Sequence, residues 1–128
     1  MLDDDVRELA MARTLALFTT LMPGGEPQSS LVWPHADRDH LLVGTNTTRQ
    51  KYRNIVADPR VGLLLLDSAN PRRYIEVRAV VVAVENGESA LRLARTTFEK
   101  WTGDPTPRAA EGERVLLRLR PNHIHRKD

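Results

Sequence analysis

The polar segment between residues 45 and 54 carries the residue types most able to bind an anion. It reads T-N-T-T-R-Q-K-Y-R-N and lies where a strand pattern passes into a helix pattern. Free backbone N–H groups and the helix dipole favour an anion at a helix N-terminus. Cations in the first turn oppose that dipole until an anion binds. We therefore predict a phosphate site here, against the alternative of a solvated basic helix face. The residues expected to form it are Thr45, Thr47, Arg49, Lys51 and Asn54.

A second polar group lies on a predicted strand and suggests a site for a ring system. In the run Q-S-S-L-V-W, Gln28 and Ser30 share one face because side chains alternate along a strand. Small polar side chains leave room for a heterocycle, and Trp33 adds a flat apolar wall. The alternative is an exposed hairpin face beside a core tryptophan.

Other kinds of chemistry are excluded or disfavoured by composition. There is no cysteine, which removes thiol nucleophiles and Cys-ligated metals, and the four histidines lack a carboxylate at metal-ligand spacing. No P-loop, G-x-S-x-G or G-x-G-x-x-G motif is present. Only three of the 19 basic residues are lysines, yet the formal charge is just +2 and the acids are spread along the chain. Aromatic residues do not alternate with the basic ones except at Tyr52, so we expect no nucleic-acid partner.

The elements that position these residues are mostly short strands. The predicted helices are Asp3–Met11, Thr48–Ala57 (capped by Thr47 or Thr48) and Glu88–Trp101. The predicted strands are Thr14–Leu21, Gln28–His35, His40–Thr45, Arg60–Leu66, Arg73–Glu85 and Val115–Leu119. Leu91, Ala94, Phe98 and Trp101 form the predicted packing face of the last helix. This order favours a mainly β (α+β) fold, a small six-stranded antiparallel barrel with short helices at its rim.

The length of 128 residues predicts a single domain spanning 1–128. No apolar run reaches the length of a membrane-spanning helix. The N-terminus, M-L-D-D-D-V-R-E-L, is acidic where a signal peptide is basic and then apolar. We therefore expect a cytoplasmic protein with no membrane association.

Taken together, several short motifs resemble one known family. They are G-E-P-Q-S-S-L-V-W (25–33), L-L-V-G-T (41–45), R-Q-K-Y-R-N-I (49–55), D-P-R-V (58–61), Y-I-E-V-R-A (74–79) and R-V-L-L-R-L-R-P (114–121). In this order they resemble the pyridoxamine 5'-phosphate oxidase-like split β-barrels, in particular the short actinobacterial F420-dependent type. The sequence departs from that pattern at Leu31, at Pro34 and in its short tail, positions that bear on the substrate pocket.

The resemblance implies a six-stranded split barrel that forms a homodimer with two cofactor sites at the subunit interface. The cofactor would be the deazaflavin coenzyme F420, or alternatively FMN, with its phosphate against Arg49 and Lys51, helped by Thr45, Thr47 and Asn54. Gln28 and Ser30 would lie near the ring or its sugar-alcohol chain, with Trp33 as a wall. Tyr74 and Arg78 would reach a site from the neighbouring subunit.

The resemblance implies an oxidoreductase in which the cofactor carries out the chemistry, so no catalytic residue is predicted. We expect hydride transfer between reduced F420 and a small electron-poor organic substrate. An arginine-rich rim (Arg49, Arg53, Arg72, Arg73) would suit the carboxylates of the F420 tail. The alternatives are an FMN-dependent oxidoreductase of the same fold and a binding protein that holds a flavin or deazaflavin without turnover.

Overall fold

In the computed structural model, which describes residues 1–128, the alternating strand pattern forms one curled antiparallel sheet, a half-barrel with short helices around it. The strands are β1 (Ala16–Leu21), β2 (Pro27–Val32), β3 (His35–Ala36), β4 (Leu41–Asn46), β5 (Arg60–Leu66), β6 (Tyr74–Glu85) and β7 (Arg114–Lys127). The helices are α1 (Asp4–Met11), α2 (Gln50–Ala57) and α3 (Glu88–Thr102). The strand order is β2-β1-β5-β6-β7-β4-β3. The prediction of a mainly β fold with short helices is confirmed.

The core fills the inner face of the sheet. Along β1, Ala16, Phe18 and Thr20 are buried while the residues between them are half-buried, which is the period-two pattern of a strand with one covered face. A cluster of 20 buried apolar residues joins β1 to the other strands and to α1. On the outer face, Leu42 and Leu116 form a smaller buried cluster with Ala90 and Leu93 of α3, and the remaining side chains are mostly half-buried or exposed.

The sheet has seven strands, and the prediction of six was wrong at Pro34. The predicted strand Gln28–His35 is interrupted because proline has no N–H to give to a ladder. β2 pairs with β1, and after the break β3 pairs with β4 instead. One chain segment thus supplies both edges of the sheet and brings them towards each other.

The last strand runs well beyond its predicted end at Leu119. β7 continues to Lys127, and its polar half pairs with Tyr74–Arg78 of β6. Pro121 is accommodated at a β-bulge, where the register passes from Ala79 opposite Pro121 to Arg78 opposite His123. Most side chains of the tail are polar, so the pattern did not reveal it, although Ile124 packs against the core.

Two helices differ from their predictions. α2 begins at Gln50 rather than Thr48, with Arg49 as an N-cap that makes no side-chain capping bond. The Thr47 hydroxyl instead accepts the Glu113 N–H (3.1 Å), and the Thr48 hydroxyl donates to Asn46 Oδ1 (2.5 Å). No helix in the protein is both long enough and apolar enough to span a membrane.

The packed face of α3 is rotated from the predicted one. Ala90, Leu93 and Thr97 are buried, whereas the predicted residues are only half-buried. Thr97 is tolerated at a buried position because its hydroxyl donates to the carbonyl of Leu93 one turn earlier (3.0 Å). The half-buried residues are Leu91, Ala94, Phe98 and Trp101.

Candidate functional site

The best-formed candidate site lies between β2 and the first turn of α2. The Lys51 ammonium donates a hydrogen bond to the Ser30 hydroxyl (2.9 Å). Lys51 and Trp33 both line a cavity of about 230 Å³. The other lining residues are Leu31, Val32, Gly44 and Thr97. Two polar residues predicted from separate motifs, Ser30 and Lys51, therefore meet here with Trp33 as a neighbouring wall.

The electrostatics of this cavity favour an anion. None of its lining residues is acidic, and Lys51 is half-buried. Burial, together with the nearby Arg49 guanidinium, holds the pKa of Lys51 below its usual value. Both causes disfavour the charged amine, and a bound anion would offset both. The site is thus a partly desolvated cation whose only strong polar partner is a serine hydroxyl.

One face of the cavity is an aromatic wall. The Trp33 ring stacks on Trp101 with ring centroids 5.4 Å apart and planes 14° apart, and its centroid lies 6.2 Å from that of Phe98. The Arg13 guanidinium covers the Trp101 ring at 5.1 Å from its centroid. Trp33 is therefore fixed by packing on α3, and the wall it presents is rigid.

Gln28 and Asn54 are brought together by a chain of hydrogen bonds beneath the site. Asn54, buried on α2, donates to the Thr20 hydroxyl (3.0 Å), which donates to Gln28 Oε1 (3.2 Å). Asn54 Oδ1 accepts from Gln50 Nε2 (2.7 Å), whose Oε1 accepts from Arg53 (2.7 Å). These residues hold α2 against β1 and β2, and neither Gln28 nor Asn54 lines the cavity.

The two predicted threonines have different surroundings. Thr45 follows Gly44 on β4, so its side chain faces the side of the sheet opposite to the cavity. The Thr45 hydroxyl oxygen is buried without a hydrogen-bond partner. The Thr47 hydroxyl is occupied by the Glu113 N–H. Gly112 makes this approach possible, since a Cβ there would come within 2.8 Å of Thr47 Oγ1. Thr47 therefore joins the loop before β7 to the start of α2.

Tyr74 and Arg78 lie away from the cavity within this chain. On the outer face of the sheet, Ser29, Thr19, Gly62 and Arg78 are successive cross-strand partners. Strands are spaced by about 4.8 Å, so Arg78 lies roughly 14 Å from Ser29. Neither Tyr74 nor Arg78 lines the cavity, and their contact with a site in a neighbouring subunit stays a prediction.

The arginine-rich rim predicted for a cofactor tail is only partly present. Arg53 donates to the Thr48 carbonyl (2.9 Å) and to Gln50, and Arg73 forms a salt bridge with Asp67 (3.0 Å). Arg49 is exposed and close enough to Lys51 to lower its pKa. Of the four arginines, Arg49 is the one placed to assist the cavity.

Sequence reasoning missed several residues that shape the site. Gly44 and Thr97 line the cavity from β4 and α3, and Thr20 joins the buried hydrogen bonds. The signal for Thr20 and Thr97 was a polar residue at an apolar position of an amphipathic pattern. Nothing in the sequence marks Gly44 as a cavity residue, because the cavity beside it exists only where α3 packs over β4.

The comparisons with known proteins agree on the family and fold. Residues 2–128 match the family described as Pyridoxamine 5'-phosphate oxidase, so the chain belongs to that family. No curated protein matches the sequence significantly.

Several solved structures share the fold. A structure described as an F420 reductase is 29% identical, with a TM-score of 0.84 over 97% of this chain and 98% of that one. A conserved hypothetical protein from Mycobacterium tuberculosis is 23% identical, with a TM-score of 0.76 over 100% of this chain and 85% of that one. The haem storage protein HutZ of Vibrio cholerae is 17% identical, with a TM-score of 0.70 over 98% and 94% of the two chains. The last two establish the fold alone.

Proposed function

We propose that this protein is an F420-dependent oxidoreductase that transfers a hydride between reduced coenzyme F420 and a small electron-poor organic substrate. The observation that carries the proposal is the half-buried Lys51 ammonium, 2.9 Å from Ser30 in a cavity without an acidic lining residue. Support for F420 comes from the full-length similarity to a structure described as an F420 reductase. FMN, which also carries a phosphate, is the alternative cofactor.

The chain's own residues fit a phosphate-bearing cofactor. Lys51 and Ser30 would hold the phosphate, and Arg49 would contribute charge from the exposed side. The bound deazaflavin supplies hydride transfer, while the protein binds, orients and shields it. The rigid Trp33 wall would exclude water from one side of the ligand. Charge-assisted hydrogen bonds of this kind are stronger than neutral ones in a partly desolvated site.

A second copy of the chain is part of the proposal, because one copy offers too little enclosure. The cavity of about 230 Å³ is smaller than the roughly 300–1,000 Å³ usual for sites that enclose a cofactor-sized ligand. Leu31, Leu17 and Leu64 are cross-strand partners on the outer face, and Leu31 is 61% exposed while also lining the cavity. A second copy seated on this apolar row would cover the outer face and close the cavity at once.

Titration of the purified protein with F420 and with FMN tests the cofactor. We expect micromolar F420 binding, measured by the change in cofactor fluorescence and by a rise in the Tm of the protein. Micromolar binding of FMN without binding of F420 would show that FMN is the cofactor. Binding of neither compound would refute the oxidoreductase proposal. Binding of F420 without turnover of quinone-like or other electron-poor acceptors would indicate a non-catalytic binding protein.

Sedimentation of two matched variants tests the role of the second copy. Leu31→Lys places a charge in the apolar row and should yield monomers with weakened F420 binding. Val56→Lys, at an equally exposed position on α2, should change neither property. A monomeric wild-type protein that binds F420 at full affinity would contradict the second-copy proposal.

A further inference from the structure

A second pocket is separate from the proposed cofactor site. It is an open groove between α3 and the loop of residues 103–113, with a volume of about 510 Å³. The residues that line it include three arginines, Arg95, Arg108 and Arg114, and no acidic residue. Its lining shares no residue with the Lys51 cavity.

The three arginines come from three different elements and converge on this space. Arg95 lies one turn after Leu91 on α3, so both face the loop. Arg114 is the first residue of β7, and Arg108 is at the middle of the loop. A single helix face or charge run would not produce this arrangement, which depends on the loop folding back over α3.

The loop is held in place at both ends, so the pocket is formed before any ligand arrives. Gly103 ends α3 in the left-handed conformation, and Asp104 Oδ1 accepts the Thr106 N–H (2.8 Å). At the other end, Gly112 has a positive φ and packs on Thr47. The Arg114 guanidinium donates to the Arg108 carbonyl across the loop.

The charges in the pocket are poorly compensated. Arg95 has one salt bridge, a 3.8 Å contact with the exposed Glu88 at the start of α3. Arg114 donates to a carbonyl rather than to a carboxylate, and Arg108 takes part in no salt bridge of the chain. Guanidinium groups present planar forks that match carboxylate and phosphate oxygens. Three of them around one space suit several anionic groups on one small molecule better than a single charge.

We propose that this pocket binds a small polyanion that carries two or more carboxylate or phosphate groups, independently of the cofactor cavity. Leu91, Pro105 and Pro107 would contact the ligand's carbon skeleton, while Arg95 and Arg108 bind its charged groups and Arg114 also supports the loop. Citrate and inorganic pyrophosphate are suitable probes, since they represent the carboxylate and the phosphate source of the same chemistry.

Isothermal titration with each probe, at constant ionic strength, tests the proposal. The double variant Arg95→Gln/Arg108→Gln should weaken binding at least tenfold. Arg92→Gln removes an equally exposed arginine from α3 outside the pocket and should leave binding unchanged. Lys51→Met should also leave it unchanged, which separates this pocket from the proposed cofactor site. Tighter binding of citrate would identify a polycarboxylate, and tighter binding of pyrophosphate a phosphate compound.

Three results would overturn the proposal. The first is that neither probe binds. The second is that the double variant binds as tightly as the wild type. The third is that Lys51→Met abolishes binding while the double variant retains it, because the anion would then occupy the cofactor cavity.

Discussion

Replacing Lys51 with methionine should separate stability from cofactor binding. Methionine keeps a similar length and apolar stem but removes the charge. In the free protein that charge is disfavoured, because burial and Arg49 lower the pKa of Lys51. The variant loses one hydrogen bond from a charged donor to Ser30, worth about 1.5–3 kcal/mol, but it is also relieved of the desolvation of a cation, which offsets most of that loss. We therefore expect the free energy of unfolding to change by less than about 1 kcal/mol.

The effect on binding should be much larger. A charge-assisted hydrogen bond to a phosphate contributes about 1.5–3 kcal/mol. Since about 1.4 kcal/mol corresponds to a factor of ten, F420 should bind about 10- to 150-fold more weakly to Lys51→Met. Fluorescence titration measures the affinity, and urea unfolding of the same samples measures stability. Lys127→Met, at an exposed lysine near the end of β7, is the control for loss of a positive charge elsewhere.

The affinity should also depend on pH with a definite sign. A bound phosphate favours the charged lysine, so binding takes up a proton wherever the free amine is partly deprotonated. Affinity should therefore fall as the pH rises through the lowered pKa of Lys51, and this fall should be absent from Lys51→Met. An F420 affinity within twofold of the wild type in the variant, with its stability intact, would refute the assignment of Lys51 to the phosphate.

Three further changes test how the fold supports the site. Asn54→Ala leaves the buried Thr20 hydroxyl and Gln50 amide without their partner and should lower the free energy of unfolding by about 2 kcal/mol in urea titrations. Gly112→Ala should destabilise more than Gly25→Ala in the same assay, since both have positive φ but only Gly112 has a neighbouring atom within 3 Å of the new Cβ. Burial lowers the pKa of Lys100 to about 8, so its native state binds fewer protons than its unfolded state above that pH. Stability from this group should rise with pH from about 8 towards 10.5, and urea midpoints of Lys100→Met should lack that rise.

The strands with long apolar runs could be predicted well from the sequence. Residues 60–66 and the strand ending at Glu85 match the structure closely, although the run 60–66 suggests burial on both faces and the structure buries mainly one. The interruption at Pro34 and the long polar end of β7 could not be located, since both depend on which strand lies alongside. Pairing partners are set by the whole sheet rather than by the local pattern.

The candidate site was predictable in its residue types more than in its contacts. The contact between Ser30 and Lys51 joins residues 21 positions apart, and the sequence marks both as polar without showing that they meet. The threonine pattern suggested capping of α2, but Thr47 and Thr48 bond to other groups. Hydroxyls form whichever hydrogen bond the tertiary structure brings closest, and a local pattern does not contain that information.

The buried polar residues explain how so short a helix can place Lys51 accurately. An isolated helix of eight residues is too short to be stable in water, and α2 has no side-chain N-cap. Ile55 buries α2 against the core, but apolar contacts alone do not fix how a helix is rotated about its axis. Asn54 does so through directional hydrogen bonds to Thr20, which is buried, and to Gln50, which is half-buried. An apolar residue at position 54 could keep the protein folded and still leave Lys51 free to turn away from Ser30. The cofactor affinity of Asn54→Leu should therefore fall further than its stability does, and equal losses would show that the polar chain is structural only.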